Sequence, residues 1–187
     1  MRSVAVALVC GVVSCGCEGP APHPRSQLDQ KMFGPVNIRL HPTFTQVQDL
    51  SHDGKADGIE ATLEVEDQFD EPTRSTGRLM FELYQYRKDS PQVRGVRIGG
   101  PWITALDTKT QQQEHWNAAL RAYTFQLHYP QIAKNRYYVL TAQMDLNAQG
   151  STTKPAGRLF DQLIIEPQNE EGVHVRHPSA PSRAPGH

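Results

Sequence analysis

Ile59-Glu60-Ala61-Thr62-Leu63-Glu64-Val65-Glu66 puts an apolar side chain at every second position and a polar one between. Successive side chains of an extended chain leave opposite faces, so this stretch has one oily face and one wet face. A helix would need apolar residues three and four apart, which the stretch does not supply. It predicts a β-strand half-buried against a second layer.

The same period of two runs outward from it. Val36, Ile38 and Leu40 alternate with Asn37, Arg39 and His41; Leu79, Phe81 and Leu83 share one face, as do Tyr123, Phe125 and Leu127. Tyr138, Leu140, Ala142, Met144 and Leu146 repeat the pattern, and Leu159 to Ile165 closes it. Turn signals stand between the runs: Pro42, Asp53-Gly54, Asp57-Gly58, Pro72, Gly77, Pro91, Gly99-Gly100-Pro101, Pro130, Gly150 and Pro155-Ala156-Gly157. Gln111-Gln112-Gln113-Glu114 admits one short helix between Thr110 and Ala119. Short strands separated by turns predict an all-β fold, a single antiparallel β-sandwich of about seven strands. Periodicity does not reveal strand order, so immunoglobulin-like and transthyretin-like topologies both remain open.

That body, residues 36–166, is about 130 residues long, near the commonest domain size. Before it, Glu18 to Pro35 carries four prolines and two glycines with little apolar pattern, a flexible tether. After it, residues 167–187 are proline-rich and unpatterned, a disordered tail by composition. Its His174 and His177, with His187 beyond, lack the scaffold that a metal site requires.

The chain of 187 residues is 37% hydrophobic and carries 19 basic against 20 acidic residues. A formal charge of −1 offers no basic field, so nothing points to nucleic acid as a partner. All three cysteines fall within the first seventeen residues, leaving none in the body for a disulfide framework or a thiol nucleophile. The sequence contains no Gly-x-Ser-x-Gly elbow, no His-Glu-x-x-His and no phosphate-cradling glycine loop.

Met1-Arg2-Ser3 precedes an apolar run from Val4 to Val13 and the small-residue exit Ser14-Cys15-Gly16-Cys17. This is the three-part shape of a secretory signal over residues 1–14, too short for a bilayer span of about 20 residues. Val12-Val13-Ser14-Cys15 resembles the lipobox of bacterial lipoproteins, in which a cysteine is acylated and becomes the first residue of the mature chain. The resemblance covers only the first seventeen or so residues. It implies lipidation at Cys15, with Cys17 as the alternative, and membrane anchoring through several acyl chains. It also implies export to the cell envelope, and the absence of Asp after either cysteine favours the outer membrane. The expected partners are the membrane, through the lipid, and an envelope protein or polysaccharide.

One loop has a chemical signature. In Asp49-Leu50-Ser51-His52-Asp53-Gly54-Lys55-Ala56-Asp57-Gly58-Ile59-Glu60, oxygen-bearing side chains fall at positions one, three, five and nine, glycine at six and glutamate at twelve. This resembles the calcium loop of EF-hands, where alternate oxygens surround a hard cation. The resemblance implies Ca2+ held by Asp49, Ser51, Asp53, the Lys55 carbonyl, Asp57 and Glu60. The flanking segments look like strands, not a helix pair, and Asp-Gly pairs also serve ordinary tight turns.

The aromatic residues Tyr84, Tyr86, Trp102, Trp116, Tyr137 and Tyr138 are candidates for a platform that stacks sugar rings. Strand alternation sends Tyr137 and Tyr138 to opposite faces. The sequence therefore predicts a lipid-anchored, non-enzymatic binding or structural module. Its alternatives are a carbohydrate-binding module and an envelope hydrolase using clustered carboxylates.

Overall fold

A computed structural model describes residues 32–147 and 155–168. The expected signal, Cys15, Cys17, most of the tether and the tail beyond Gln168 lie outside them. The described residues form nine strands: β1 (Asn37–Leu40), β2 (Gln46–Gln48), β3 (Gly58–Glu66), β4 (Gly77–Tyr86), β5 (Arg94–Ala105), β6 (Trp116–Asn117), β7 (Ala122–His128), β8 (Tyr138–Asn147) and β9 (Pro155–Ile165). A helix, α1 (Lys109–His115), lies between β5 and β6.

All pairings are antiparallel, and they build two sheets. One runs β1-β3-β7-β6, with β2 also on β3; the other runs β5-β4-β8-β9. Between them lies the core the alternation predicts. Ile59, Ala61, Leu63 and Val65 from β3 and Tyr123, Phe125 and Leu127 from β7 belong to one buried cluster with Leu79, Phe81 and Leu83 from β4 and Leu140, Ala142 and Met144 from β8. Each large aliphatic side chain so buried contributes about 1.5–3 kcal/mol of transfer free energy.

β1 and β2 are one edge strand with a detour. Both pair with β3, β1 along Leu63–Glu66 and β2 along Gly58–Glu60. Pro42 has no amide proton to place in a ladder, and the chain swings out there. Thr45 fills the gap from its side chain: the Thr62 amide donates to its Oγ1 at 3.1 Å while the Thr62 carbonyl accepts from the His41 amide at 2.8 Å.

β3 departs from a simple wet outer face. Thr62, Glu64 and Glu66 are buried as well as the apolar residues between them. Arg39 on β1 spans both glutamates, bonding to Glu64 and lying 3.2 Å from Glu66, and Asn37 donates to Glu66 at 2.9 Å. Burying a carboxylate is costly unless it is paired, and this guanidinium pairs two at once. Glu64, with Glu66 behind it, raises the Arg39 pKa above its ordinary value against the opposing effect of desolvation.

Gly99-Gly100-Pro101 and Pro155-Ala156-Gly157, both expected as turns, lie inside strands. Gly99-Gly100-Pro101 is a register shift in the edge strand β5, not a break before it. Gly100 has φ +83°, and its peptide to Pro101 is cis. A Cβ at Gly99 would stand 2.7 Å from the Trp102 ring, so a bare backbone is required where the strand kinks over the indole. Pro155-Ala156-Gly157 opens β9. α1 occupies part of the predicted helical window. Thr108 caps it in a reciprocal box with Gln111. Gln112 anchors it to the core, donating to the Ser75 and Leu106 carbonyls at 2.7 Å and accepting from the Tyr123 hydroxyl at 2.6 Å.

With β1 and β2 counted as one strand, the first pairs with the second, the second with the sixth, and the third with the fourth and seventh. This is the Greek-key order of immunoglobulin-type sandwiches, with an extra strand beside the third. Tyr138, at the start of β8, accepts the Ala133 amide at 2.9 Å. A tyrosine at that corner bonding to upstream backbone is a hallmark of the same architecture.

Candidate functional site

The strand registers give the sandwich two ends. Asn37, Glu66, Gly77, Ala122 and Leu146 lie at one, where the chain enters; Gly58, Tyr86, His128, Tyr138 and Ile165 lie at the other. At the entry end Phe33 packs on Phe69 with centroids 6.0 Å apart, and the Val36 amide donates to the Glu66 carbonyl at 2.8 Å. The far end carries the aspartate-rich loop and a cleft.

The loop between β2 and β3 is held by its own carboxylates. Asp49 accepts from the amides of Gly54 at 2.7 Å and Asp53 at 3.2 Å, and from the Ser51 hydroxyl at 3.4 Å. Asp57 accepts the Leu50 amide at 2.7 Å, and Asp53 the Lys55 amide at 2.9 Å. His52 at φ 62° and Gly54 at φ 90° supply the left-handed residues that turn the chain back. Some desolvation pushes the Asp49 carboxyl up, but the Gly54, Asp53 and His52 amides outweigh it and hold the pKa below the ordinary value. The Leu50 amide lowers that of Asp57 against a smaller desolvation.

Glu60 stands within β3, opposite Gln46 on one side and Gln126 on the other. Among the described residues, no three or more of His, Cys, Asp and Glu are grouped so as to hold a metal ion. The loop aspartates face backbone amides.

Beside the loop opens a cleft of about 790 Å³, within the range of small-molecule sites. Its rings are Tyr86 from the end of β4, Tyr129 and Tyr137 from the β7–β8 connection, and Tyr138. The Tyr86 and Tyr137 rings pair with centroids 5.3 Å apart, and Tyr137 is 49% exposed. Gln85, Gln131 and Asn135 bring amides, Lys88 and Arg136 positive charge, and Glu166 a carboxylate. Ile98 and Ile164 complete the wall, Ile98 resting partly buried against the core.

The six aromatic residues singled out from the sequence do not form one platform. Tyr86, Tyr137 and Tyr138 meet at the cleft, where Tyr138 is buried by its corner role. Trp102 packs against the core and donates from Nε1 to the His128 carbonyl at 3.2 Å. Trp116 meets Tyr123 edge-on at 5.1 Å, with the Arg74 guanidinium 4.6 Å from its centroid. Tyr84 lies under Arg94 at 5.8 Å and donates its hydroxyl to Glu82 at 2.7 Å. Periodicity had no means of finding Tyr129, Gln131, Asn135 and Arg136, because they sit in an irregular connection whose path depends on the Tyr138 corner.

Among the described residues no helix is long and apolar enough to cross a membrane. The described residues thus form a two-sheet antiparallel β-sandwich with a loop-and-cleft end. No protein-family model matches it, and neither a curated protein nor a solved structure was found to be similar to it.

Proposed function

We propose that this protein is a lipid-anchored component of the bacterial cell envelope, held in the outer membrane through Cys15, or Cys17 in its place. Its sandwich acts as a non-enzymatic binding module. One observation carries the reading: the chain enters the domain at one end, while the cleft and the aspartate-rich loop lie at the other. A tether attached at the entry end leaves the far end directed away from the membrane, where a partner can reach it. Rings, amides and isolated charges on a rigid sandwich are suited to holding a ligand by its shape and polar groups.

Calcium is a second element of this proposal. A cation at the loop would draw Asp49 and Asp57 from the amides they now accept, and it would require Glu60 to approach from β3. For the hydrolase alternative, Glu64 and Glu66 are two buried carboxylates on β3, but Arg39 engages both. That pairing favours a structural role for them.

Mass spectrometry of the protein from its native host tests the anchor. The expected product begins at an acylated Cys15 and moves to the soluble fraction in Cys15→Ser. An intact, unmodified Met1 overturns the reading.

A further inference from the structure

We propose that the cleft between Tyr86, Tyr129 and Tyr137 binds a saccharide chain bearing carboxylate groups. The inference rests on the binding-module reading above and names the chemistry of its ligand.

A pyranose ring presents a patch of C–H groups on its faces and hydroxyls around its rim. The first needs an aromatic face, and the second needs groups that both donate and accept. Tyr137 leaves half of its surface open to solvent, and Tyr86 packs against its ring at 5.3 Å, which restricts the ring's motion. A pre-set ring loses little entropy when a ligand stacks on it. Gln131 and Asn135 stand exposed on the same wall, and each amide offers two donors and an acceptor. A purely apolar ligand would leave these amides unpaired, at a cost of about 1–3 kcal/mol for each polar group buried without a partner.

Charge narrows the class. Lys88 and Arg136 have no ion-pair partner among the described residues, and Glu166 is the one carboxylate on the wall. The cleft is therefore net positive on a chain whose formal charge is −1. A guanidinium matches a carboxylate in a two-point fork. Rings for the sugar face, amides for the rim and a guanidinium for the acid point to glycans with free carboxylates, on uronic acid rings or on the lactyl groups and peptide stems of peptidoglycan fragments.

The test is calorimetric titration of the full-length protein, solubilised in detergent, with oligogalacturonate, soluble peptidoglycan fragments and a neutral gluco-oligosaccharide. Binding of either acidic saccharide, weakened by salt, is the expected result, and the one that binds identifies the source. Tyr137→Ala should lower affinity about tenfold, near the upper end of what an aromatic contact supplies. Arg136→Gln should weaken the acidic ligands while leaving any neutral binding unchanged, and Asn135→Ala provides a second, exposed variant if Tyr137→Ala misfolds. Several results would overturn the proposal: no saccharide bound by folded protein, equal affinity for acidic and neutral chains, variants that bind as well as the parent, or Tyr137-dependent capture of a proline-rich peptide instead. The anchor reading fails separately, through an unprocessed Met1, whatever the titrations show.

Discussion

The Tyr129 amide donates to the Asp57 carbonyl at 2.8 Å. This bond joins the aspartate-rich loop to the tyrosine-lined cleft, so the two features of the far end share a backbone contact. The Leu50 amide in turn bonds to the Asp57 side chain. The residue thus binds its own loop with its carboxylate and the neighbouring connection with its main chain.

Gly54→Ala probes the loop backbone alone. Gly54 has φ +90°, and a Cβ there would meet no atom within 4 Å. The only penalty is the left-handed conformation, about 1–2 kcal/mol for a residue with a side chain. Chemical denaturation should show a loss of that size with an unchanged dependence on denaturant. An unaltered midpoint would mean the loop does not hold this conformation in solution.

The same loop gives stability an acid limb. Asp49 and Asp57 are both held below their ordinary carboxyl pKa, so each favours the folded state above its unfolded pKa and loses that contribution as pH falls through the folded one. Stability should therefore decline from about pH 4 downward. Asp57→Asn should be less stable than the parent near neutrality and fall less steeply with acid. Urea midpoints measured across that range check it; parallel curves for the two proteins would remove the loop as a source.

Calcium should raise the melting temperature of metal-free protein by linkage, and Glu60→Gln should abolish the rise. Differential scanning calorimetry with and without millimolar calcium reads this directly. An unchanged transition would leave Asp49, Asp53 and Asp57 as caps for the loop amides and nothing more.

Tyr138→Phe removes the acceptor for the Ala133 amide and leaves a donor unpaired in the β7–β8 corner. The expected cost is about 1–2 kcal/mol. Because that corner carries Tyr129, Gln131, Asn135 and Arg136, the variant should also show faster amide exchange through residues 129–137. Exchange confined to its original rate would mean that the corner is set by other contacts.

Much of the architecture could be read in advance because a half-buried strand writes its environment every second residue. β3, β4, β7 and β8 each carry that alternation, and each is where it predicts. β5 escaped because Gly99-Gly100-Pro101 has the composition of a turn; on an edge strand those residues instead make a register shift accommodated against Trp102. β2 and β6 were too short, at three and two residues, to show any period. The burial of Glu64 and Glu66 was hidden for another reason. It depends on Arg39, a residue on a neighbouring strand whose position opposite Glu64 follows from strand pairing.

The amino-acid sequence alone determined the two-layer β architecture, since alternation of side chains is a local property of an extended chain. It also displayed the aspartate-rich loop and the lipobox-like opening as linear patterns. Only the tertiary structure decided the strand order, the opposition of the entry end to the cleft, and the meeting of Tyr86 with Tyr137. Those depend on which strands pair and at which register, and pairing joins residues far apart in the chain through contacts that no local period encodes.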